Sequence, residues 1–334
     1  MDQKIHEVGS VWDAVGNTPL IRVQSLSEIT GCEIFGKAEF LNPGGSIKDR
    51  AAKGIIKNGE AEGMLQPGGT IVEGTAGNTG IGLATLAAER GYKVIISMPA
   101  SQSEEKFQML EALGAEVRRI GSYSFDDERH YYHQGRIIAE NTPGGYWANQ
   151  FENPGNYRQH YESTGPEIWE QSGGNLDILT LASGTGGTIG GVSSYLKDRA
   201  AGVRVVLADP EGSGLHSYIH VGEVSGEGSS VTEGIGITRI TGNFRQACID
   251  DAIRVTDQEM ISMVYHVAKY DGLLIGSSSA LNLYAAYTLG MEQEGTGKRI
   301  VTFICDHGSR YQSRLFNRRW LEENSLQPRP IDPG

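Results

Sequence analysis

Cysteine is scarce in this 334-residue chain: Cys32, Cys248 and Cys305 are odd in number and far apart. That excludes a disulfide framework and any Cys-x-x-Cys metal or redox spacing, and it points to a reducing, cytosolic setting. Cys305, at the end of an apolar run, reads as a small buried hydrophobe. Positive charge is also short, since 29 Lys and Arg face 41 Asp and Glu and leave a net charge of −12. Such a surface repels phosphate backbones and anionic lipid, so neither nucleic acid nor membrane is expected as a partner. No apolar run approaches the roughly 20 residues needed to cross a bilayer. Met1-Asp2-Gln3-Lys4-Ile5-His6-Glu7 has neither the basic start nor the apolar core of a signal peptide. His130, His133, His216, His220 and His266 have no metal-ligand spacing, so no metal is expected.

Two nucleotide signatures are missing as well. Gly184-Thr185-Gly186 reaches Ile189, and Gly80-Ile81-Gly82 reaches Thr85, where a dinucleotide fingerprint needs a third glycine. Thr296-Gly297-Lys298 is followed by Arg299, not by a magnesium-binding hydroxyl.

What is present is glycine, 46 residues of it, with 38 % hydrophobic content, which fits a loop-rich α/β protein. The length favours two lobes of about 150 residues each. Strand-like runs at 70–72, 93–98, 116–120, 178–182, 203–208 and 299–305 alternate with amphipathic helical stretches such as 103–113 and 258–269. This is the pattern of parallel sheets with crossover helices, in which ligands bind at the carboxyl edge. A polar stretch runs over 122–161, with the lobe junction placed near Asn153-Pro154-Gly155. Residues 211–231, rich in Gly and Ser, read as a flexible loop, and the proline-bearing tail after Asn324 reads as a surface extension.

Four segments carry chemistry. Asn42-Pro43-Gly44-Gly45-Ser46-Ile47-Lys48-Asp49-Arg50 sets a lysine after a glycine-rich turn, at a helix start. A lysine amine attacks an aldehyde only when part of it is neutral, and burial beside positive charge such as Arg50 supplies that fraction. The same letters also suit an ordinary helix start, with Ser46 as cap and Asp49 as first-turn acid. After the strand at 178–182, Gly184-Thr185-Gly186-Gly187-Thr188 offers backbone N–H groups and hydroxyls to a phosphate monoester. Thr75-Ala76-Gly77-Asn78-Thr79 gathers donors for a substrate carboxylate before a helix over 80–89. Asn78 is also placed to reach the phenolic oxygen of a cofactor. Ser277-Ser278-Ser279 precedes a helix over 281–289, where a serine either caps the helix or meets a pyridine nitrogen without forcing its protonation. An amine, a carboxylate loop and a phosphate cradle are what amino-acid chemistry on pyridoxal 5'-phosphate requires.

With these residues in hand, the chain resembles the fold-type II pyridoxal-phosphate enzymes of the cysteine synthase (O-acetylserine sulfhydrylase) and cystathionine β-synthase family. The resemblance runs from Gly16-Asn17-Thr18-Pro19-Leu20 to Gly308-Ser309-Arg310-Tyr311. It implies a two-lobed α/β fold like the tryptophan synthase β subunit, each lobe a mostly parallel twisted sheet flanked by helices. The smaller, mobile lobe is expected at 42–154, the larger phosphate-binding lobe at 10–41 with 155–323, and a tail at 324–334. A cytoplasmic homodimer is implied too.

By the same resemblance Lys48 is the Schiff-base lysine, and Asn78 contacts the cofactor's hydroxyl oxygen. Gly184, Thr185, Gly186, Gly187 and Thr188 bind the phosphate, and Ser278 faces the pyridine nitrogen. Thr75, Ala76, Gly77, Asn78, Thr79 and Gln150 match the substrate-carboxylate region, and Gly234 belongs to the active-site segment Glu233-Gly234-Ile235-Gly236. The implied activity is a β-replacement that joins O-acetyl-L-serine, or a similar activated serine, to sulfide through an α-aminoacrylate and forms L-cysteine. The alternatives are a cysteine desulfhydrase or lyase, a cystathionine β-synthase-like replacement with another thiol, or a cofactor-binding partner protein without turnover. Three departures bear on substrate choice: Ala76 stands where serine is usual, Cys305-Asp306-His307 replaces Pro-Ser-Ser, and Ala280 replaces a frequent glycine. His307 draws attention because its loop is expected to face the cofactor.

Overall fold

A computed structural model describes residues 7–331. The signal-peptide reading falls on residues 1–6 but for its last position, and it lies with 332–334 of the tail outside the described residues. Ten strands are present among the described residues: β1 (Leu20–Arg22), β2 (Glu33–Ala38), β3 (Thr70–Gly74), β4 (Lys93–Pro99), β5 (Glu116–Ile120), β6 (Gly145–Trp147), β7 (Ile178–Ala182), β8 (Arg204–Pro210), β9 (Asp251–Val255) and β10 (Arg299–Ile304). The α-helices in the first half are α1 (Gln24–Thr30), α2 (Lys48–Ala61), α3 (Asn78–Arg90), α4 (Glu104–Ala112), α5 (Tyr131–Glu140), α6 (Pro154–Gln159) and α7 (Gly165–Gln171). Those in the second half are α8 (Gly187–Arg199), α9 (Leu215–Val221), α10 (Asp257–Tyr270), α11 (Ser277–Glu292) and α12 (Arg318–Glu323). Among the described residues no helix is long and apolar enough to cross a membrane.

The strands form two sheets. One has the order β1-β2-β10-β7-β8-β9 and the other β5-β4-β3-β6. All pairings are parallel except β1 with β2. Helices cover both faces, which is why β3 is buried along its whole length and β7 and β10 over most of theirs. The chain leaves the larger sheet after β2, builds the smaller sheet, and returns at β7.

The six strands read from the sequence are all present, each within two residues at either end. The other four, β1, β2, β6 and β9, leave little trace in the sequence because they are short or lack an apolar run. β6 lies inside the polar stretch 122–161, which also carries α5 and α6. The loop read at 211–231 holds α9, anchored by the buried Leu215. The described part of the tail is largely exposed, as expected, yet pinned: Leu326 is buried, and the Arg329 N–H bonds Ser262 on α10.

The start of α2 is fixed from three sides. Ile47 N–H donates to the Cys305 carbonyl at 2.9 Å, and Ser46 bridges Asp306, so the turn before Lys48 is stitched to the end of β10. Ser46 does not cap the helix conventionally; its hydroxyl accepts from the Lys48 N–H at 3.2 Å, and Ile47 is the capping residue. Asp49 is fully buried and accepts from the Gly44 N–H. Further along, Gly54 meets Gly155 of α6; a Cβ on Gly54 would lie 2.6 Å from the Gln159 Cβ and nearer still to the Gly155 carbonyl. Only glycine allows those two backbones to approach so closely.

Arg50 is the third anchor and has no exposed surface. Its guanidinium donates to Glu39, just after β2, at 2.7 and 2.9 Å, and to Glu167 of α7 at 2.7 Å through each terminal nitrogen. Lys37 of β2 adds a 2.7 Å bond to Glu167. Burial alone would raise the Glu167 carboxyl, but the Arg50 and Lys37 cations hold it down at about 2. Removing one member leaves opposite charges buried without a partner, a loss of roughly 3–5 kcal/mol. Arg50→Leu is therefore expected to lower unfolding free energy by about that much, while Arg50→Leu with Glu39→Leu costs clearly less than the sum of the single changes. Urea titrations of the three variants check this, and simple additivity would show that the pair is not energetically coupled.

Candidate active site

A cleft of about 1150 Å³, counting the open space at its mouth, lies where β3, β7 and β10 end. Each chemistry-bearing segment read from the sequence arrives there. Lys48, Thr75, Ala76, Gly77, Asn78, Thr79, Gln150, Gly184, Thr185, Gly186, Thr188, Gly234 and Ser278 all line it. Gly187 does not; its Cα faces the Asn156 side chain, leaving no room for a Cβ.

Lys48 keeps some surface open to the cleft but is otherwise enclosed by protein. Burial pushes its amine below the ordinary lysine value, and nearby Lys106 pushes the same way, against the pull of Cys305 and Asp306. Burial also raises the Cys305 thiol to about 12, so it stays protonated beside Lys48 and Ser278. Cys305 is thus less a plain core residue than the sequence suggested, since it lines the cleft. His307 does not: it bonds Ser309 at 2.9 Å and packs near Phe40. No group of three or more His, Cys, Asp and Glu positioned to hold a metal occurs among the described residues.

The turn after β7 fits a phosphate. Gly186 has φ +86°, a left-handed conformation, and a Cβ there would lie 2.6 Å from that of Phe244. At the start of α8 the Gly187 N–H makes a long 3.4 Å bond to Thr185 Oγ1, and the next N–H groups have no carbonyl one turn back. Thr185 Oγ1 accepts from Asn156 Nδ2 at 3.0 Å, which leaves its own hydrogen for a guest oxygen. Thr188 lies 3.2 Å from Nε2 of His160, which burial holds well below the usual histidine value and hence neutral. Ser183, also in the lining, has a buried hydroxyl oxygen with no partner. A buried amine, an anion-binding turn and a spare hydroxyl form a donor set that suits pyridoxal phosphate.

The Thr75–Thr79 loop is braced from behind. Thr79 donates to Gln150 Oε1 at 2.6 Å, and Gln150 Nε2 donates to Glu73 Oε1 at 3.0 Å. Those two side chains are committed to each other. The donors left for a carboxylate are the N–H groups opening α3 and the Thr75 hydroxyl, whose oxygen already accepts from Gly77 at 3.1 Å. Glu73 has no exposed surface, and burial raises it to about 8 despite its Gln150 bonds.

Sequence reasoning gave no role to Lys106, which lines the cleft, or to Arg314 behind it. Lys106 of α4 is buried against Glu233, and Glu233 also accepts from Arg314 at 2.6 Å. Lys106 lies 5.0 Å over the Tyr311 ring. Asn78 donates to Asp306 at 2.7 Å and accepts from Arg310 at 2.6 Å. No local motif marks Lys106 or Arg314; Glu233, Arg310 and Tyr311 stand in segments that carry the family resemblance, and Asp306 in one of the departures from it.

The model of the pyridoxal-phosphate dependent enzyme family matches residues 11–306. Cysteine synthase 1 of Neurospora crassa is 51 % identical over 318 residues, covering 94 % of this chain and 84 % of that protein. An O-acetylserine dependent cystathionine β-synthase from Helicobacter pylori superposes with a TM-score of 0.83 at 34 % identity, covering 93 % of this chain and 99 % of the other. A hydrogen sulfide-producing enzyme from Fusobacterium nucleatum does so with 0.84 at 31 %, covering 91 % and 100 %. The chain belongs to the pyridoxal-phosphate dependent enzymes, with their fold-type II architecture.

Glu73 gives the site a pH signature. Its value rises from 4.5 to about 8 on folding, so it stabilises the fold fully only below 4.5 and loses that contribution as pH climbs through 8. Glu73→Gln removes the penalty, so the variant should gain on the wild type by on the order of 1 kcal/mol per pH unit across that window. Denaturant unfolding at several pH values tests this. A stability difference that stays flat would mean that Glu73 remains ionised when folded.

Proposed function

We propose that this chain forms L-cysteine from O-acetyl-L-serine, or a similarly activated serine, and sulfide by β-replacement. The observation that carries the reading is the meeting, in one cleft, of the enclosed Lys48 amine, the glycine-rich turn after β7 and the donor-rich start of α3. The cysteine synthase relative supports it. Pyridoxal 5'-phosphate supplies an electron sink for the substrate's α-carbon, which lets a β-substituent leave.

In this reading Lys48 Nζ is the amine that holds the cofactor's aldehyde. It is also the base that takes the substrate's α-proton and returns it at the end. Its depressed pKa provides the neutral amine that both tasks need. Gly184, Thr185, Gly186, Gly187 and Thr188 hold the phosphate, Gly187 through its backbone alone. Asn78 bonds the cofactor's ring oxygen. Ser278, an uncharged hydroxyl at the start of α11, faces the ring nitrogen. The α3 N–H groups and Thr75 orient the substrate carboxylate, with Thr79 and Gln150 as braces and Ala76, Gly77 and Gly234 shaping the space around it. Residues 42–154 act as the smaller lobe, closing on residues 10–41 and 155–323 to exclude water. The confinement of β3 to β6 within 70–147 supports that division.

A second reading, release of sulfide from cysteine, draws on the Fusobacterium structure and on Ala76, which removes a hydroxyl from the cleft wall. Sulfide consumption with O-acetylserine separates this from sulfide release with cysteine alone. For either reading, Lys48→Ala is expected to cut turnover by about 10²–10⁴-fold or more while the protein stays folded. Undiminished cysteine formation by Lys48→Ala would sink the assignment.

A further inference from the structure

Asp306 has no exposed surface and does not line the cleft, yet it touches what does. One carboxylate oxygen, Oδ2, accepts from Asn78 Nδ2 and from the Tyr311 hydroxyl, both at 2.7 Å. Its other oxygen has no partner. The Asp306 backbone is immobilised as well, bridging Ser46 before α2 and accepting from the Gly276 N–H before α11 at 3.3 Å. From the far side Arg310 Nη1 donates to Asn78 Oδ1 at 2.6 Å, and Arg310 Nη2 is tied to the Gly44 carbonyl.

Asn78 is therefore gripped at both ends of its amide. Turning the amide over would set Nδ2 against a guanidinium and Oδ1 against a carboxylate, replacing two charge-assisted hydrogen bonds with two clashes of like polarity. Of the two hydrogens on Nδ2, one is left over as a donor. We infer that Asp306 is a positioning residue that locks the Asn78 amide so that it presents a hydrogen-bond donor to the cleft, matched to an anionic ring oxygen on the bound cofactor. The inference rests on the proposed placement of the cofactor beside Asn78. It gives a task to the residue that replaces the expected serine in Cys305-Asp306-His307.

The test uses the holoenzyme, Asp306→Asn, Asn78→Ala and the double variant, with two readouts: the dissociation constant for pyridoxal phosphate and the visible absorption of the bound cofactor. An asparagine at 306 can offer an N–H toward Asn78 and so releases the lock. Asp306→Asn should weaken cofactor binding about tenfold and shift part of the absorption toward the form with a protonated ring oxygen. In the Asn78→Ala background the same change should alter binding by less than about twofold. Should Asp306→Asn not fold, Asp306→Ser carries the same expectation, since its shorter side chain cannot reach both Asn78 and Tyr311. An undiminished effect in the absence of the Asn78 amide would overturn the inference by making Asp306 merely structural. An unchanged affinity and spectrum in Asp306→Asn would also overturn it. A wild-type protein that takes up no pyridoxal phosphate would instead overturn the parent reading.

Discussion

Everything in the cleft depends on the first turn of α2 being both buried and immobile. Three consecutive residues there face three different neighbours. Lys48 reaches into the cleft, Asp49 turns back to Gly44, and Arg50 spans Glu39 and Glu167. Burying Arg50 is costly by itself, so the arrangement holds only because its six hydrogen bonds go to carboxylates and hydroxyls, four of them to Glu39 and Glu167. Glu39 follows β2 and Glu167 lies in α7, so one side chain ties the end of β2, α2 and α7 together. A lysine carried on a looser helix would swing into water and regain its ordinary pKa. The buried arginine thus acts on chemistry it never touches.

The same logic explains how a chain of net charge −12 can hold a phosphorylated cofactor. The negative charge is spread over the surface, whereas the cleft gathers Lys48 and Lys106 with N–H groups at the starts of α3 and α8. The carboxyl nearest the carboxylate loop, Glu73, is neutralised by burial at moderate pH. Glu233 is covered by Lys106 and Arg314. Anion binding here follows from local neutralisation, not from overall charge.

What the sequence made legible was local. A strand, a glycine-rich turn and a helix start within one window suggest an anion site, and Lys48, Thr75 to Thr79 and Gly184 to Thr188 stand out that way; all but Gly187 line the cleft. What it hid was long-range. Asp306 meets Asn78 across 228 positions, and Lys106 meets Glu233 across 127. No periodicity records such pairings. The unnamed strands escaped for a different reason: β6 is three residues long and is defined by its partner β3 more than by its own composition. His307 differs from expectation because its loop reaches the site while its ring turns away toward Phe40 and Ser309.

The departures from the family pattern act at different depths. Ala76 lines the cleft, so its missing hydroxyl changes what a substrate meets directly. Ala280 is wholly buried in α11, where its methyl group fills core and faces no ligand. Asp306 lies one layer behind the cleft wall and acts by deciding which way an amide points. A serine there would bring neither a charge nor the reach to hold Asn78 and Tyr311 together. Arg310, paired with that carboxylate through Asn78, would then face the cleft wall with less compensation. The exchange of a hydroxyl for a carboxylate at 306 therefore makes sense only with Arg310 and Tyr311 in place, and the three are best understood as one unit built around Asn78.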